Sequence, residues 1–283
     1  MRRTGILPRI EVRLISEPAD CDRCVSVYRE VFGLAPSDGS LNARLLTALG
    51  RNSGMVVGAF VGGTRGVVPP GQHSHAELVG FALSFLARQD DGRLYQYSQT
   101  AAVLPAWQGQ SVGRAMKFGQ RSAALEAGID LVRWTFDPLR SVNAHFNLDV
   151  LGASVTSLAR DFYGPMAAPD DRGEPTDRFV VDWELLRPAV AARAVARPGG
   201  PTCERGPVSI APGELRATAD SALLGLPADW RRFRSSSPAT AGRLRDRILG
   251  HAQELLNAGL VAVSCRRLDR DTAVYRFTRE GRP

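Results

Sequence analysis

A polar, glycine-containing loop joins a strand-like segment directly to an amphipathic helix near the middle of the chain. The segment LYQYSQTAAVLP ends at Pro105, and after the loop small or apolar residues recur every three or four positions from Val112 to Ala127, where Gly128 follows as a stop. The first N–H groups of a helix have no intrahelical partner, and the helix dipole places partial positive charge there. The loop therefore predicts a site for an anion such as a pyrophosphate.

Small residues are needed in such a loop because a side chain would keep phosphate oxygens away from the backbone amides. Gly109, Ser111 and Gly113 leave the amides open, and Arg114 can add a charge-assisted contact. The same pattern also occurs as an ordinary strand-to-helix turn, which is the alternative interpretation.

The apolar pattern elsewhere predicts a mixed α+β chain. Helices are expected from Asp20 or Asp22, as the cap, to about Phe32, and over 41–49, 112–127 and 141–151. Strands are expected over 10–16, 55–61, 77–87, 94–105, 131–136 and 177–185. The second to fourth of these strands follow one another through turns, which predicts an antiparallel meander.

Composition divides the chain into three parts. Residues 1–186 carry the strand and helix patterns, whereas 187–213 are rich in Pro, Gly, Ala and Arg and predict a linker. Residues 214–283 predict an extension containing a helix that ends at Gly259, followed by two strands joined by the turn LDRD. We expect this extension to pack on the first domain.

The charge pattern argues against a nucleic-acid partner. The net charge is +7, but Lys117 is the only lysine, the arginines are scattered, and no zinc-finger spacing or basic helix occurs. No apolar run approaches the roughly 20 residues of a membrane helix, and the start lacks a signal-peptide core. We therefore expect a cytoplasmic protein without a membrane partner, while monomer and homodimer both stay open.

The cysteines and histidines do not predict a metal site. Cys21 and Cys24 form a CxxC without a second pair, and with Cys203 and Cys265 they are too unevenly placed for a disulfide framework. The pair His73 and His75 lacks a third ligand in its loop. We expect inert thiols and no metal.

The loop resembles the acetyl-CoA site of the GNAT superfamily of N-acetyltransferases, whose pattern is Gln or Arg, two residues, Gly, one residue, then Gly or Ala. In this chain the corresponding residues are Gln108, Gly109, Gln110, Ser111, Val112 and Gly113, and Ser111 replaces the central glycine of the pattern. The phrases WTFDPL, NAHFN, LGA, DFYG and TDRFVVDWEL resemble a subgroup of predicted acyltransferases and extend the similarity over nearly the whole chain.

This resemblance implies a fold, a co-substrate and its contacts. The implied fold is an α+β, GNAT-type mixed sheet, mostly antiparallel and flanked by helices, with the C-terminal helix-strand-strand extension packed on it. The implied co-substrate is acetyl-CoA or another acyl-CoA, without a metal. Its implied contacts are Ala102, Val103, Gln108, Gly109, Gln110, Ser111, Val112, Gly113, Arg114 and Asn143.

Two departures from the family pattern affect catalysis. Leu148 stands where many GNATs carry the tyrosine that protonates the departing thiolate, and Gln99 stands where we expect a histidine in the subgroup. Glutamine cannot take a proton at neutral pH. The catalytic candidates are therefore Gln99, Asp137 and Tyr163, of which Tyr163 could replace the missing acid or simply pack.

Two charged residues are candidates for holding the acceptor. Asp137 follows a strand and could attract an ammonium group, or cap the turn before Pro138. Arg178 could grip a carboxylate, or pair with Asp177. We expect an N-acyltransferase that acts on the amine of a small molecule or amino acid. The alternative is a catalytically degenerate acyl-CoA-binding sensor or partner-binding protein.

Overall fold

The computed structural model describes residues 10–62, 76–164, 175–196 and 209–279. They group into two compact units, one up to Val132 and one from Arg133. The predicted division at 186 and 213 stays a prediction. His73, His75 and Cys203 lie outside the described residues.

The first unit is an antiparallel meander with helices on both faces. Its strands follow the order β1-β2-β3-β4, and each pairs antiparallel with the next. The strands are β1 (Glu11–Leu14), β2 (Met55–Val61), β3 (Glu77–Arg88) and β4 (Leu94–Val103), and the helices are α1 (Pro18–Phe32), α2 (Ala43–Arg51) and α3 (Val112–Glu126).

Strand β2 is buried at every residue because helices cover both of its faces. Val56 and Phe60 belong to an apolar cluster with Cys24 of α1 and residues of α2. Val57 belongs to a second cluster with Met116 of α3. This two-sided packing explains why the sequence of β2, MVVGAFV, is apolar without interruption.

Helix α1 begins earlier than predicted. Pro18 occupies the first turn after Glu17, and Gly33 ends the helix in the left-handed region at φ 62°. Asp20 is not the cap, because its carboxylate is buried and pairs with Arg13 at 2.8 Å and with Arg23 at 3.2 Å. The ion pair with Arg13 joins α1 to β1.

The second unit is built on a longer sheet of order β5-β7-β6-β10-β11-β9-β8. The first two residues of strand β5, Leu131 and Val132, belong to the first unit, and the strand is described with the second unit because its other residues belong there. The strands are β5 (Leu131–Phe136), β6 (Ser154–Ala159), β7 (Arg178–Glu184), β8 (Leu215–Ala217), β9 (Ser221–Pro227), β10 (Val261–Arg267) and β11 (Thr272–Thr278). The helices are α4 (Ser141–His145), α5 (Pro188–Val195), α6 (Trp230–Ser236) and α7 (Pro238–Asn257).

The predicted fold class is confirmed, since helices flank a largely antiparallel sheet. The C-terminal helix and its two strands form as expected, and β10 pairs antiparallel with β6. The extension therefore continues the sheet of the second unit.

Several elements of the second unit differ from the prediction. Strand β6 was not predicted, because its serines and threonine interrupt the apolar alternation, and the β8-β9 hairpin and α6 were also missed. The helix expected over 141–151 is α4 followed by a π-helical turn, Phe146–Val150, closed by the bond from Leu151 N to Phe146 O. Part of the expected linker is α5, whose Val190 is fully buried.

The thiols of the described residues are buried. Cys21, Cys24 and Cys265 are free, and burial raises the pKa of each thiol above its usual range. Across the described ranges, none of the helices has the length and apolar character needed to cross a membrane. The same ranges hold no cluster of three or more His, Cys, Asp or Glu residues able to bind a metal ion.

Candidate functional site

The loop between β4 and α3 is held by two glutamine side chains. Pro105–Trp107 form a single 3-10 turn. Gln108 Nε2 then donates to Val103 O at 3.0 Å, and Gln110 Nε2 donates to Ala106 O at 2.7 Å. These bonds tie the loop to the end of β4 and to its own first turn.

The backbone of the loop is open to solvent at the start of α3. Gly109 has φ 74° and Ser111 has φ 64°, and both residues are exposed. The first turn of α3 closes with the bond from Ala115 N to Ser111 O at 2.9 Å. Amides that precede this turn have no intrahelical acceptor and carry the positive end of the helix dipole. This geometry supports the predicted anion site, and its ligand stays a prediction.

Arg114 lies in the first turn of α3 and stacks over Phe118, with its guanidinium carbon 4.8 Å from the ring centroid. The stacking holds the guanidinium along the first turns of the helix.

Ser111 adopts the left-handed conformation that glycine tolerates best, at the position where the family pattern has glycine. A left-handed backbone costs a non-glycine residue roughly 1–2 kcal/mol. Replacing serine with glycine removes this cost, but glycine loses more backbone entropy on folding, which offsets part of the gain. We therefore expect Ser111→Gly to raise the free energy of unfolding by about 0.5 kcal/mol in urea titrations.

Ser122 provides the matched control, because it is an exposed serine within the same helix. Ser122→Gly should lower the free energy of unfolding by about 0.5 kcal/mol, since glycine is the poorer helix former. Changes of the same sign in both variants would contradict the assignment of strain to Ser111.

Strand β4 contains a β-bulge at Gln99. In the register with β3, Leu83 faces Thr100 and Ser84 faces Ser98, so Gln99 has no opposite residue. Its side chain is exposed and accepts a hydrogen bond from Thr100 Oγ1. The bulge interrupts the regular pairing of Gln99 with β3, and its side-chain amide provides neither acid nor base.

The two β4 residues assigned to the co-substrate differ in exposure. The Ala102 side chain is buried in the apolar cluster beneath α1 and α2, so a ligand could reach this residue only through its backbone. Val103 is half-buried, and its carbonyl accepts the bond from Gln108.

A buried lysine ties α3 to β4 beside the bulge, and sequence reasoning missed its role. Lys117 is 4% exposed, and its Nζ donates to Ser98 Oγ at 3.1 Å and to Gln120 Oε1 at 2.5 Å. Gln120 Nε2 also donates to Ser98 Oγ at 3.3 Å. Burial lowers the pKa of Lys117 to about 7.

The lowered pKa predicts how stability depends on pH. Between about pH 7 and pH 10 the unfolded chain keeps the lysine protonated while the folded chain does not, so stability rises with pH in this window. Lys117→Met abolishes this contribution and leaves Ser98 and Gln120 bonded to each other. Urea titrations should show the wild type gaining up to about 4 kcal/mol relative to the variant between these two pH values.

The pKa itself can be measured without ambiguity because Lys117 is the only lysine in the chain. A single lysine side-chain resonance is expected to titrate near pH 7 in the folded protein. Titration near the ordinary value of about 10.4 would contradict the prediction.

The two acceptor-binding candidates line one cleft of the second unit. Asp137 Oδ1 accepts from Leu139 N at 2.9 Å, the turn-capping contact expected before a proline, and Asp137 Oδ2 lies 3.6 Å from Arg140 Nε. Arg178 lies at the start of β7, with its guanidinium carbon 5.4 Å from the Tyr163 ring centroid.

Asp177 and Arg178 contact each other through the backbone of Asp177. Arg178 donates to the backbone carbonyl of Asp177 at 3.0 Å. The buried Asp177 carboxylate instead pairs with Arg245 of α7, lies 3.4 Å from Arg160, and accepts from Asp161 N. Arg245 is 68 positions away in the sequence, so no local pattern could reveal the pair.

The remaining predicted residues are spread over the second unit. Tyr163 is exposed, and its hydroxyl lies 3.3 Å from Thr135 Oγ1 of β5. Asn143 is exposed on α4, while Leu148 is fully buried in the π-helical turn. The catalytic and co-substrate roles of these residues stay predictions.

Solved structures similar to this chain include acetyltransferases. Neither a protein-family model nor a curated protein matches the chain. An acetyltransferase of the GNAT family from Streptococcus pneumoniae is 12% identical, covers 62% of this chain and 98% of its own, and gives a TM-score of 0.46. The yncA protein from Salmonella typhimurium, solved with acetyl-CoA, is 16% identical over 62% of this chain and 94% of its own, with a TM-score of 0.46.

An aminoglycoside acetyltransferase from a soil metagenomic sample, solved with sisomicin, is 16% identical. The similarity covers 46% of this chain and 78% of that one, with a TM-score of 0.37.

Proposed function

We propose that this protein is an acyl-CoA-dependent N-acyltransferase of the GNAT type. It transfers an acetyl or other short acyl group to the amine of a small molecule or amino acid. The observation that carries the proposal is the loop from Gln108 to Arg114, which opens α3 with exposed left-handed residues and outward-facing amides. The sequence pattern of this loop supports the same conclusion.

The loop residues would hold the pyrophosphate of the co-substrate. The amides around Gly109 and Gly113 provide hydrogen-bond donors at the positive end of α3, and the Arg114 guanidinium can add a charge-assisted bond. Acyl-CoA supplies the activated thioester. The backbone at the Gln99 bulge departs from regular pairing with β3 and would be the part of β4 that donates to a thioester carbonyl.

Proton transfer would depend on few side chains. The Tyr163 hydroxyl is exposed and hydrogen-bonded to Thr135, which orients it as a candidate proton donor. The Asp137 carboxylate can attract an ammonium group in the cleft of the second unit. Positioning and electrostatics can supply much of the rate where strong acid-base groups are missing.

Arg178 is assigned to the carboxylate of an amino-acid acceptor because it lines the same cleft as Asp137. Arg178→Ala should raise KM for an amino acid about tenfold or more and leave KM for a simple amine nearly unchanged. Steady-state kinetics on the two acceptors measures the difference. An equal change in KM for both acceptors would mean that Arg178 does not bind the carboxylate of the acceptor.

A non-catalytic acyl-CoA sensor is the second candidate, favoured by the buried Leu148 at the position where many GNATs carry a catalytic tyrosine. Thiol release from acetyl-CoA and succinyl-CoA, screened against amines and amino acids, separates the two functions. Acceptor-dependent release is the expected result. CoA binding without release by any acceptor would favour the sensor.

A further inference from the structure

A half-exposed histidine and a buried carboxylate meet where α4 passes into the π-helical turn. His145 is the last residue of α4, and Asp149 lies four residues later, within the turn. His145 Nδ1 is 3.1 Å from Asp149 Oδ2. The Asp149 side chain is 4% exposed and that of His145 is 46% exposed, so the imidazole is anchored on its Nδ1 side and open to solvent elsewhere.

Asp149 is ionised and held in place by β10. Its Oδ1 accepts from Ser264 Oγ at 2.7 Å and from Arg266 Nε at 3.3 Å, and its Oδ2 accepts from Cys265 N at 2.9 Å. Burial by itself raises the pKa of Asp149, but the hydrogen bonds from His145 and Ser264 outweigh burial and bring the pKa below its usual range. A charged carboxylate is therefore fixed beside the imidazole at neutral pH.

The contacts of His145 determine which ring nitrogen carries the proton. Nδ1 lies 3.1 Å from both Asp149 Oδ2 and the Cys265 carbonyl oxygen, and both of these atoms can only accept a hydrogen bond. Nδ1 therefore carries the proton in the neutral ring, and Nε2 presents its lone pair. Within the parts of the chain that the structure describes, Nε2 makes no hydrogen bond. Its lone pair is available to take a proton from a ligand.

The groups around the ring favour proton uptake near neutral pH. The hydrogen bond to Asp149 raises the pKa of His145 above its ordinary value of 6.5, although burial and the Arg266 charge oppose this shift. Arg193 of α5 also faces the turn and donates to the Asp149 carbonyl at 3.1 Å. A carboxylate behind an accessible imidazole suits a base, because it orients the ring and stabilises the protonated form.

Helix α4 connects this pair with the cleft of the second unit. Arg140, which lines the cleft, is the residue before the first turn of α4, and His145 lies five residues further along. At the helical rise this separation is about 7.5 Å. The spacing is within the length of a small molecule.

We propose that His145 and Asp149 form a proton-transfer dyad, with His145 Nε2 as the proton acceptor and Asp149 as the residue that positions it. The ligand is an amine, which loses a proton to Nε2. The existence of the dyad is independent of the function proposed above, whereas its part in acyl transfer rests on that function.

The proton balance of acyl transfer assigns the dyad one step. The acceptor nitrogen bonds to the acyl carbon, the carbon–sulfur bond breaks, and CoA leaves as a thiolate. The nitrogen gives its proton to His145 Nε2, and the Asp149 carboxylate stabilises the resulting imidazolium. The imidazolium then releases the proton to solvent, from which the thiolate is protonated.

Nuclear magnetic resonance of the histidine side chains tests the dyad without substrate. The chain contains four histidines, and His145→Gln assigns the resonance of His145 by its loss. The neutral ring should carry its proton on Nδ1 and titrate above pH 6.5, and Asp149→Asn should lower this pKa by about 1 or more. A ring protonated on Nε2, or a wild-type pKa at or below 6.5, would overturn the dyad whether or not Asp149→Asn folds.

Steady-state kinetics test the role in transfer. His145→Gln should lower kcat/KM by at least about 100-fold and remove the break in its pH profile at the pKa measured for His145. Imidazole added to His145→Ala should restore part of the activity, which a purely structural role does not predict. His251 is the matched control, because it pairs at 3.5 Å with Glu254, whose side chain is 75% exposed. His251→Gln should change kcat/KM less than about twofold.

Failure of the dyad and failure of the proposed function give different results. Turnover by His145→Gln within about threefold of the wild type would reject the dyad and retain the transferase. Absence of thiol release by the wild type with every acceptor would reject the transferase, and the titration of His145 would still decide whether the proton-accepting pair exists.

Discussion

Replacing Gly113 with glutamate is expected to weaken CoA binding by at least about 100-fold, measured by calorimetry. Gly113 lies in the first turn of α3, where the amides face outward. Glutamate places bulk and a negative charge where the pyrophosphate would lie, and it opposes the attraction of the helix N-terminus for anions.

The control adds the same charge to the same helix away from the loop. Ser122 is exposed and lies nine residues further along α3, about 13 Å from Gly113 at the helical rise. This separation exceeds the Debye length of about 10 Å, so Ser122→Glu should leave CoA affinity within about twofold. Equal affinity of Gly113→Glu and the wild type would exclude the loop as the anion site.

Removing the Asp177 carboxylate should destabilise the fold by about 3–5 kcal/mol. The Asp177 side chain is 5% exposed and its partner Arg245 is 11% exposed, so Asp177→Ala leaves a charge in a nearly water-free environment. The variant also loses the bond from Asp161 N. Urea titration measures the loss, and near-ultraviolet circular dichroism reports whether the packing survives.

Asp246 is the matched control for this prediction because it contacts the same guanidinium from the solvent side. Its side chain is 72% exposed and lies 3.3 Å from Arg245 Nη1. Exposed ion pairs contribute little, so Asp246→Ala should cost less than about 1 kcal/mol. Similar losses in both variants would mean that burial does not set the strength of the Asp177 contact.

Features that depend on neighbours in the sequence could be predicted. The α3 helix follows from its apolar spacing and the stop at Gly128, and the meander of β2, β3 and β4 follows from successive strands and turns. The exposed loop before α3 follows from its small residues, whereas the anion that it would bind stays a prediction.

Features that depend on tertiary packing could not be predicted. Strand β6 is stabilised by its pairing with β7 and β10, although its own sequence is half polar. The lowered pKa of Lys117 comes from burial against β4, and the pairing of Asp177 with Arg245 joins distant positions. At Ser111 the sequence shows a departure from the family's glycine pattern, but it does not show that the backbone of this residue is left-handed.

The most direct test of the proposed function is a crystal structure of the protein with CoA. The expected result is a pyrophosphate with oxygens about 3 Å from the backbone nitrogens between Gly109 and Gly113, at the start of α3. CoA bound elsewhere, or a loop that stays empty at saturating CoA, would contradict the proposed acyl-CoA site.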